Sequence, residues 1–268
     1  MTDSAADTLV ALARLEIGRG RVEAAGQGLR LMLDGADQAR YSDAQLYDYA
    51  GLKRRNFPSR PPLILEVRAC ASHSAEALRG TAGFGFWNQP MMPGTLSFRL
   101  PRQVWFFFGG PPMNMALAKG VPGHGWKAAT ADFSRLPFLL LAPAAPLGFL
   151  LMRIPALYRA LWPLGQRAVG AAEALIEVDL RDLHTYRLEW LPGMARFHVD
   201  DRLIMEAPHA PRGPLGFVAW IDNQYAVLTP QGQFRLGLVS VPEPQWLYIE
   251  SLRLEPMGAG TISSRSRA

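Results

Sequence analysis

The sequence predicts an all-β fold, a jelly-roll sandwich of two antiparallel sheets carrying one apolar, partly helical insertion. Three observations predict it. Short stretches of alternating apolar and polar residues recur along the chain between Pro and Gly positions, the pattern of many short strands joined by turns. The 268 residues are 49% hydrophobic and 10% aromatic, which supplies a sizeable core and excludes disorder as the main state. One run, Leu136 to Met152, has no charge and breaks the alternation.

Taken in order, residues 1–20 read as a short helix or an adapting N-terminal arm. Gly28 to Leu33 alternates and ends at the turn pair Asp34-Gly35. Tyr41 to Tyr49 is aromatic and polar, as in a strand or loop crossing a cleft. After Pro61-Pro62, residues Leu63, Leu65 and Val67 share one face of a strand. Glu66 and Arg68 share the other, set for a same-face ion pair, with Cys70 beside them as a structural thiol. Gly80 to Asn88 puts Gly83, Gly85 and Trp87 on one face, and Val104 to Phe108 is a dense strand buried on both sides. In the second half, Tyr186, Leu188 and Trp190 alternate with Arg187 and Glu189. Pro192-Gly193 makes the turn, and Ala195 to Val199 returns toward Asp200-Asp201, with His184 ordering the hairpin. Gly216 to Ile221, Phe234 to Val239 and Trp246 to Leu254 complete the strands. Nothing marks a second domain, so residues 1–268 read as one jelly roll with residues 133–176 as the insertion.

The insertion carries Pro137, Pro143, Pro146 and Gly148 and falls short of the roughly 20 apolar residues a bilayer span needs. Arg153 to Glu177 reads as helix. Between Asp132 and Glu173 the only charges are Arg135, Arg153, Arg159 and Arg167. Such a segment serves as a monotopic anchor, a lid over an apolar pocket, or an oligomer contact. A membrane-surface contact or a homo-oligomer through residues 136–170 is therefore expected. Cys70 is the single cysteine, which excludes a disulfide framework. The first residues lack the pattern of a signal peptide, so a cytoplasmic address is expected, membrane-peripheral if the insertion is an anchor. The net charge of +5 comes from dispersed arginine, and the densest cluster is Lys53-Arg54-Arg55. That is a solvated loop, and no nucleic-acid partner is expected.

His184-Thr185-Tyr186-Arg187-Leu188-Glu189-Trp190, the Pro192-Gly193 turn and Ala195–Asp200 together resemble the H-T-Y-x-x-E-W hairpin of concanavalin A-like jelly rolls. Leu65–Ala71 followed by Gly83–Asn88 resembles the E-x-R-A-K and G-x-W-P-A-F-W strands of laminarinase-type glycoside hydrolases, and Tyr248 to Leu254 sits where their last strand ends the fold. The likeness spans residues 20–130 and 175–256. Those hydrolases carry E-x-D-x-x-E after the tryptophan segment, because alternate residues share a strand face and a retaining mechanism needs two carboxyls about 5–5.5 Å apart. Here the corresponding stretch, Leu100 to Phe108, holds no carboxylate, and the only E-x-D, Glu177-Val178-Asp179, leads into a different strand. The resemblance therefore implies the fold and a ligand-binding concave face without the familial catalytic motif.

Trp87, Asn88, Trp105, Trp220, Asn223 and Gln224 are the expected ligand-binding residues of that face. Asp222, Tyr225 and His124 are the candidate acid/base groups. Asp222-Asn223-Gln224-Tyr225 follows a buried-looking strand with four consecutive hydrogen-bonding side chains, more than a turn requires, although Asx bonding at a polar turn explains part of it. His124 lies in a glycine-rich loop, positioned as a proton carrier or as part of the rim. Tyr41, Asp43, Tyr47 and Tyr49 are further cleft candidates, and Met91, Met92, Met113 and Met115 suggest an adaptable apolar rim. The five histidines show no metal spacing, so neither a metal nor a cofactor is expected.

Three functions follow. The first is binding of an apolar small molecule in the cleft, with or without an acid/base-assisted cyclisation or isomerisation. The second is non-catalytic, lectin-like or membrane-peripheral binding. The third, a divergent glycoside hydrolase, needs two facing carboxylates, for which the sequence offers Asp222 with Glu250 or Asp43. Whether the protein is an enzyme stays open at this point.

Overall fold

A computed structural model describes residues 9–91 and 97–257. Alternation of buried and exposed residues is the rule in its strands: Leu63–Ala71 buries Leu63, Leu65, Val67, Ala69 and Ala71 and turns the intervening residues outward. The chain runs β1 (Ala13–Ile17), β2 (Gly20–Ala25), β3 (Gly28–Leu33), β4 (Asp43–Tyr47), β5 (Leu63–Ala71), β6 (Thr81–Trp87), β7 (Arg102–Gly109) and β8 (Gly125–Asp132). Three helices follow, α1 (Leu136–Leu141), α2 (Ala145–Leu151) and α3 (Pro155–Ala168). The remaining strands are β9 (Ala172–Leu175), β10 (His184–Leu191), β11 (Met194–Val199), β12 (Arg202–Pro208), β13 (Gly216–Asp222), β14 (Gln224–Leu228), β15 (Phe234–Leu238) and β16 (Gln245–Pro256).

Two seven-stranded antiparallel sheets result, one ordered β1-β4-β13-β6-β7-β8-β9 and the other β12-β11-β10-β5-β16-β3-β2, with β14-β15 as a separate ribbon. The expected sandwich is present. Between the sheets lies an aromatic core. Phe106 meets Phe84 at 5.5 Å, Tyr186 at 5.2 Å and Phe197 at 5.2 Å between ring centroids, while Phe86 stacks on Trp190. Trp190 satisfies its buried Nε1–H on the Pro211 carbonyl, as a buried indole must.

The hairpin forms about the expected Pro192-Gly193 turn, and its register sets Tyr186 opposite Val199 and Trp190 opposite Ala195. His184 orders it directly, with Nδ1 2.6 Å from Asp200 Oδ2 and Nε2 3.0 Å from the Asp179 carbonyl. Three expectations need correction. Residues 13–17 are a strand on the sheet edge, paired with β4, because Leu15 and its neighbours alternate in burial with period two. The helix expected over Arg153 to Glu177 ends at Ala168, where Gly170 takes a positive φ of 58° that favours glycine, and β9 follows. Glu66 and Arg68 do not pair with each other: Arg68 meets Glu250 at 2.9 Å, and Glu66 lies near Arg187 and Arg253. Cross-strand neighbours are closer than residues two apart on one strand.

Prolines early in each helix, Pro137, Pro146 and Pro155, suit the first turn, where no backbone N–H is needed, and they break the insertion into three pieces. The layer attaches beside β8, where Phe133 and Phe138 pack on Leu117, Ala131, Val169 and Ala171.

Phe106 sits at the meeting point of both sheets. Phe106→Ala is expected to cost about 3–5 kcal/mol, measured as a lower urea midpoint with an unchanged slope.

Candidate ligand-binding face

The outer face of the first sheet is a grid set by antiparallel register. Gln103, Trp105 and Phe107 of β7 alternate outward while Val104, Phe106 and Phe108 enter the core. Pairing with β6, β13 and β4 then fixes three rows. Asp43, Asp222 and Thr81 align at one end. Gln45, Trp220, Gly83 and Phe107 form the next row, and Tyr47, Val218, Gly85 and Trp105 the third. Beyond them, Trp87 faces Gly216 and Gln103.

Aromatic rings tile this face. Trp105 lies 5.1 Å from Trp220, 5.5 Å from Phe107 and 6.3 Å from Trp87. They form an apolar cluster with Tyr49, Phe57, Met113 and Val218, separate from the sandwich core. Glycine makes the tiling possible. A Cβ on Gly83 would stand 3.0 Å from the Trp220 ring, and one on Gly216 would stand 2.0 Å from the Tyr49 ring. The polar edges are satisfied locally: Trp87 Nε1 donates to Tyr49 Oη at 2.7 Å and Trp220 Nε1 to Thr81 Oγ1 at 2.9 Å. Trp220 and Phe107 are nearly buried, whereas Tyr47, Trp87 and Trp105 stay partly open.

The end of the face at Asp222 is covered. Residues 110–124 cross it, with Met113 in the aromatic cluster and Asn114 exchanging backbone hydrogen bonds with Ala226 and Leu228. At this end lie two directly opposed and buried carboxyls, Asp43 (2% exposed) and Asp222 (6% exposed). Asp222 Oδ1 accepts from Thr81 Oγ1 at 2.7 Å and from the Gln224 N–H at 3.0 Å, and Tyr41 Oη stands 3.4 Å from Oδ2. Burial pushes Asp222 up to about 6 against those hydrogen bonds. Burial, and then the charge of Asp222, pushes Asp43 well above the ordinary carboxylate range. Burial therefore biases both carboxyls toward the protonated form relative to an exposed aspartate.

A second buried charge cluster escaped the sequence reading. Lys127 on β8 is fully buried and contacts Glu173 Oε1 at 3.0 Å and the Met115 and Pro122 carbonyls at 3.1 Å each. Glu173 Oε2 accepts the Leu117 and Ala118 N–H groups. This ion pair ties the covering loop to the sheet. Its signal in the sequence was a lone lysine in the apolar strand Gly125 to Asp132.

The structure brings Trp87, Trp105 and Trp220 together and keeps the acid/base candidates apart. His124 is exposed beside Gly125, whose row stands three strands from Asp222, about 14 Å at the usual strand spacing. The Tyr225 ring lies against Gly237 beneath the Arg235 guanidinium. Asn223 is fully buried, donating to the Asp37 and Arg40 carbonyls and accepting the Ser42 N–H, so its amide fastens the chain before β4. Asn88 donates to the Leu100 carbonyl and accepts the Arg102 N–H, closing the base of the β6–β7 connection. Gln224 is exposed. Of the methionines, Met113 is buried, Met91 is exposed and Met115 half-buried; Met92 lies outside the described residues. Glu250 belongs to the other sheet, so Asp43 is the carboxyl that adjoins Asp222.

No protein-family model matches the sequence, and no curated protein matches it significantly. Among solved structures, the chain is similar to a GlcNAcα1-4Gal-releasing endo-β-galactosidase from Clostridium perfringens, at 13% identity and a TM-score of 0.50, covering 90% of this chain and 58% of that one. It is similar to a β-glucanase of Bacillus licheniformis at 10% identity and a TM-score of 0.45, covering 92% of this chain and 93% of that one. The Emp47p carbohydrate recognition domain matches at 11% identity and a TM-score of 0.45, covering 92% and 89%. What is shared is the fold, a sandwich of two antiparallel sheets. Likeness at this identity concerns the fold, and this chain spans little more than half of the endo-β-galactosidase.

Two predictions follow from the buried charges. A carboxyl whose pKa is raised by folding stabilises fully below its unfolded value near 3.9 and loses that contribution as pH rises through about 6 for Asp222. Asp222→Asn should therefore flatten the pH dependence of Tm across that window and raise Tm near pH 8 by about 2–4 °C. Asp48, pushed by burial to about 7, leaves a residual slope of the same sign. Lys127→Met strands the Glu173 carboxylate and should cost about 3–5 kcal/mol in urea unfolding, with Lys127→Met plus Glu173→Gln recovering more than half.

Proposed function

We propose that the protein binds a small molecule with an extended apolar face, stacked on Trp87, Trp105 and Tyr47 of the first sheet. The carrying observation is that, among the described residues, these three rings stay partly open at the end of the aromatic layer away from Asp222. Binding sites of this kind are mostly apolar with a few placed polar groups, and here the Trp87 indole N–H is already held by the buried Tyr49 Oη, which leaves the ring faces as the contact surface. A carbohydrate presenting an apolar ring face is the second reading, favoured by the fold shared with the endo-β-galactosidase.

Hydrolysis of glycosidic bonds has less support. The outward positions of β7 are Gln103, Trp105 and Phe107, with no acid among them. Asp43 and Asp222 stand side by side and buried, and Glu173 is held by Lys127 and two amides. Acid/base-assisted cyclisation or isomerisation would engage Asp222. That carboxyl lies four residues along β13 from the Trp105 row, about 13 Å, with Trp220 between, so binding rather than turnover is the function these residues support.

The test is a titration of the intact protein with 2-naphthol and, separately, laminaribiose, read by tryptophan fluorescence. Saturable binding of 2-naphthol that Trp105→Ala weakens about tenfold or more, and that Leu140→Asp on the insertion leaves unchanged, is the expected result. Saturation by laminaribiose alone would select the carbohydrate reading. Binding of either probe that ignores Trp105→Ala would overturn the site.

A further inference from the structure

Nine of the eighteen large apolar side chains exposed among the described residues fall between Leu136 and Leu164. Leu136, Leu140, Leu147, Leu150, Ile154 and Leu164 are each 54–72% exposed. Soluble monomers rarely leave so much apolar surface contiguous unless it meets something. The patch continues onto the β14–β15 turn, because Gly232 sits against Phe149 and the Arg153 Nε–H points to the Gln231 carbonyl at 3.5 Å. Phe234 and Leu236, 71% and 60% exposed, extend it.

Charge decides what covers this face. Residues 133–172 contain no Asp or Glu, and their charges are Arg135, Arg153, Arg159 and Arg167. The last three are exposed, and Arg235 on β15 is exposed as well. A second copy of the chain would set these arginines against their own equivalents with no acid in the insertion to meet them. An anionic bilayer meets both features, with acyl chains for the leucines and phosphates for the arginines. Among the described residues no helix is long and apolar enough to cross a membrane, and short helices broken by proline suit a layer lying along the interface.

We propose that α1, α2, α3 and the β14–β15 turn form a docking face for the surface of an anionic lipid bilayer. The face is independent of the aromatic site on the first sheet. Its test is co-sedimentation of the full chain with vesicles of phosphatidylcholine alone or with one-third phosphatidylglycerol. Retention on the anionic vesicles at least about tenfold above the neutral ones, lowered by salt, is expected. The double variant Leu140→Asp/Leu147→Asp should lose retention on both. Arg153→Glu/Arg159→Glu should lose the preference for phosphatidylglycerol. Absence of retention on either vesicle, or unchanged retention of the leucine variant, would overturn the proposal. So would a dimer in size-exclusion chromatography that the leucine variant dissociates, which would give the face to a second copy.

Discussion

Close approach of aromatic rings to glycine backbone shapes the outer face of the first sheet. On β6 the outward positions alternate Thr81, Gly83, Gly85 and Trp87, so the two central ones have no side chain. Trp220 from β13 lies across Gly83, and the β7 backbone at Trp105 comes so near Gly85 that a Cβ there would stand 2.5 Å from its Cα. Gly85 also has φ of 150°, a backbone that side-chain-bearing residues rarely adopt. The space left by two missing side chains is filled from the neighbouring strands, and the result is a continuous ring surface. The charged groups of the face stand at its margins, and Gln45 is the amide set beside Trp220.

Those margins hold the charged groups, and each is buried with a purpose that packing explains. Lys127 and Glu173 neutralise one another while fixing four backbone positions of the loop over residues 110–124. Among the described residues no salt bridge reaches Asp43 or Asp222, and burial shifts both toward the protonated form. One pair locks a loop and the other stores a pH-dependent cost. Neither presents its carboxylates to the partly open rings around Trp105.

The sandwich was legible in the sequence because burial on one face of a strand writes itself as period two. Tyr186, Leu188 and Trp190, and the Gly83–Trp87 face, were readable in that way. Register between distant strands was not, since no local pattern says that Asp43 lies opposite Asp222 or that Arg68 meets Glu250 rather than Glu66. The same limit applied to Asn223 and Asn88. Their side chains suggested ligand contacts, yet backbone groups brought near by the fold take up their hydrogen bonds. Lys127 was legible as an anomaly but its partner was not. The insertion was plain from the sequence, because the charge-free run Leu136 to Met152 lacks strand alternation and is interrupted by Pro137, Pro143, Pro146 and Gly148.

The proposed site seats an apolar ligand on the partly open rings at the end of the first sheet. Indole N–H resonances report it directly, since the chain has seven tryptophans in distinct surroundings. During a titration with 2-naphthol, the Trp87 and Trp105 signals should move together while those of Trp126 and Trp190 in the core stay fixed. Movement confined to other indoles, or none at saturating probe, would contradict the account.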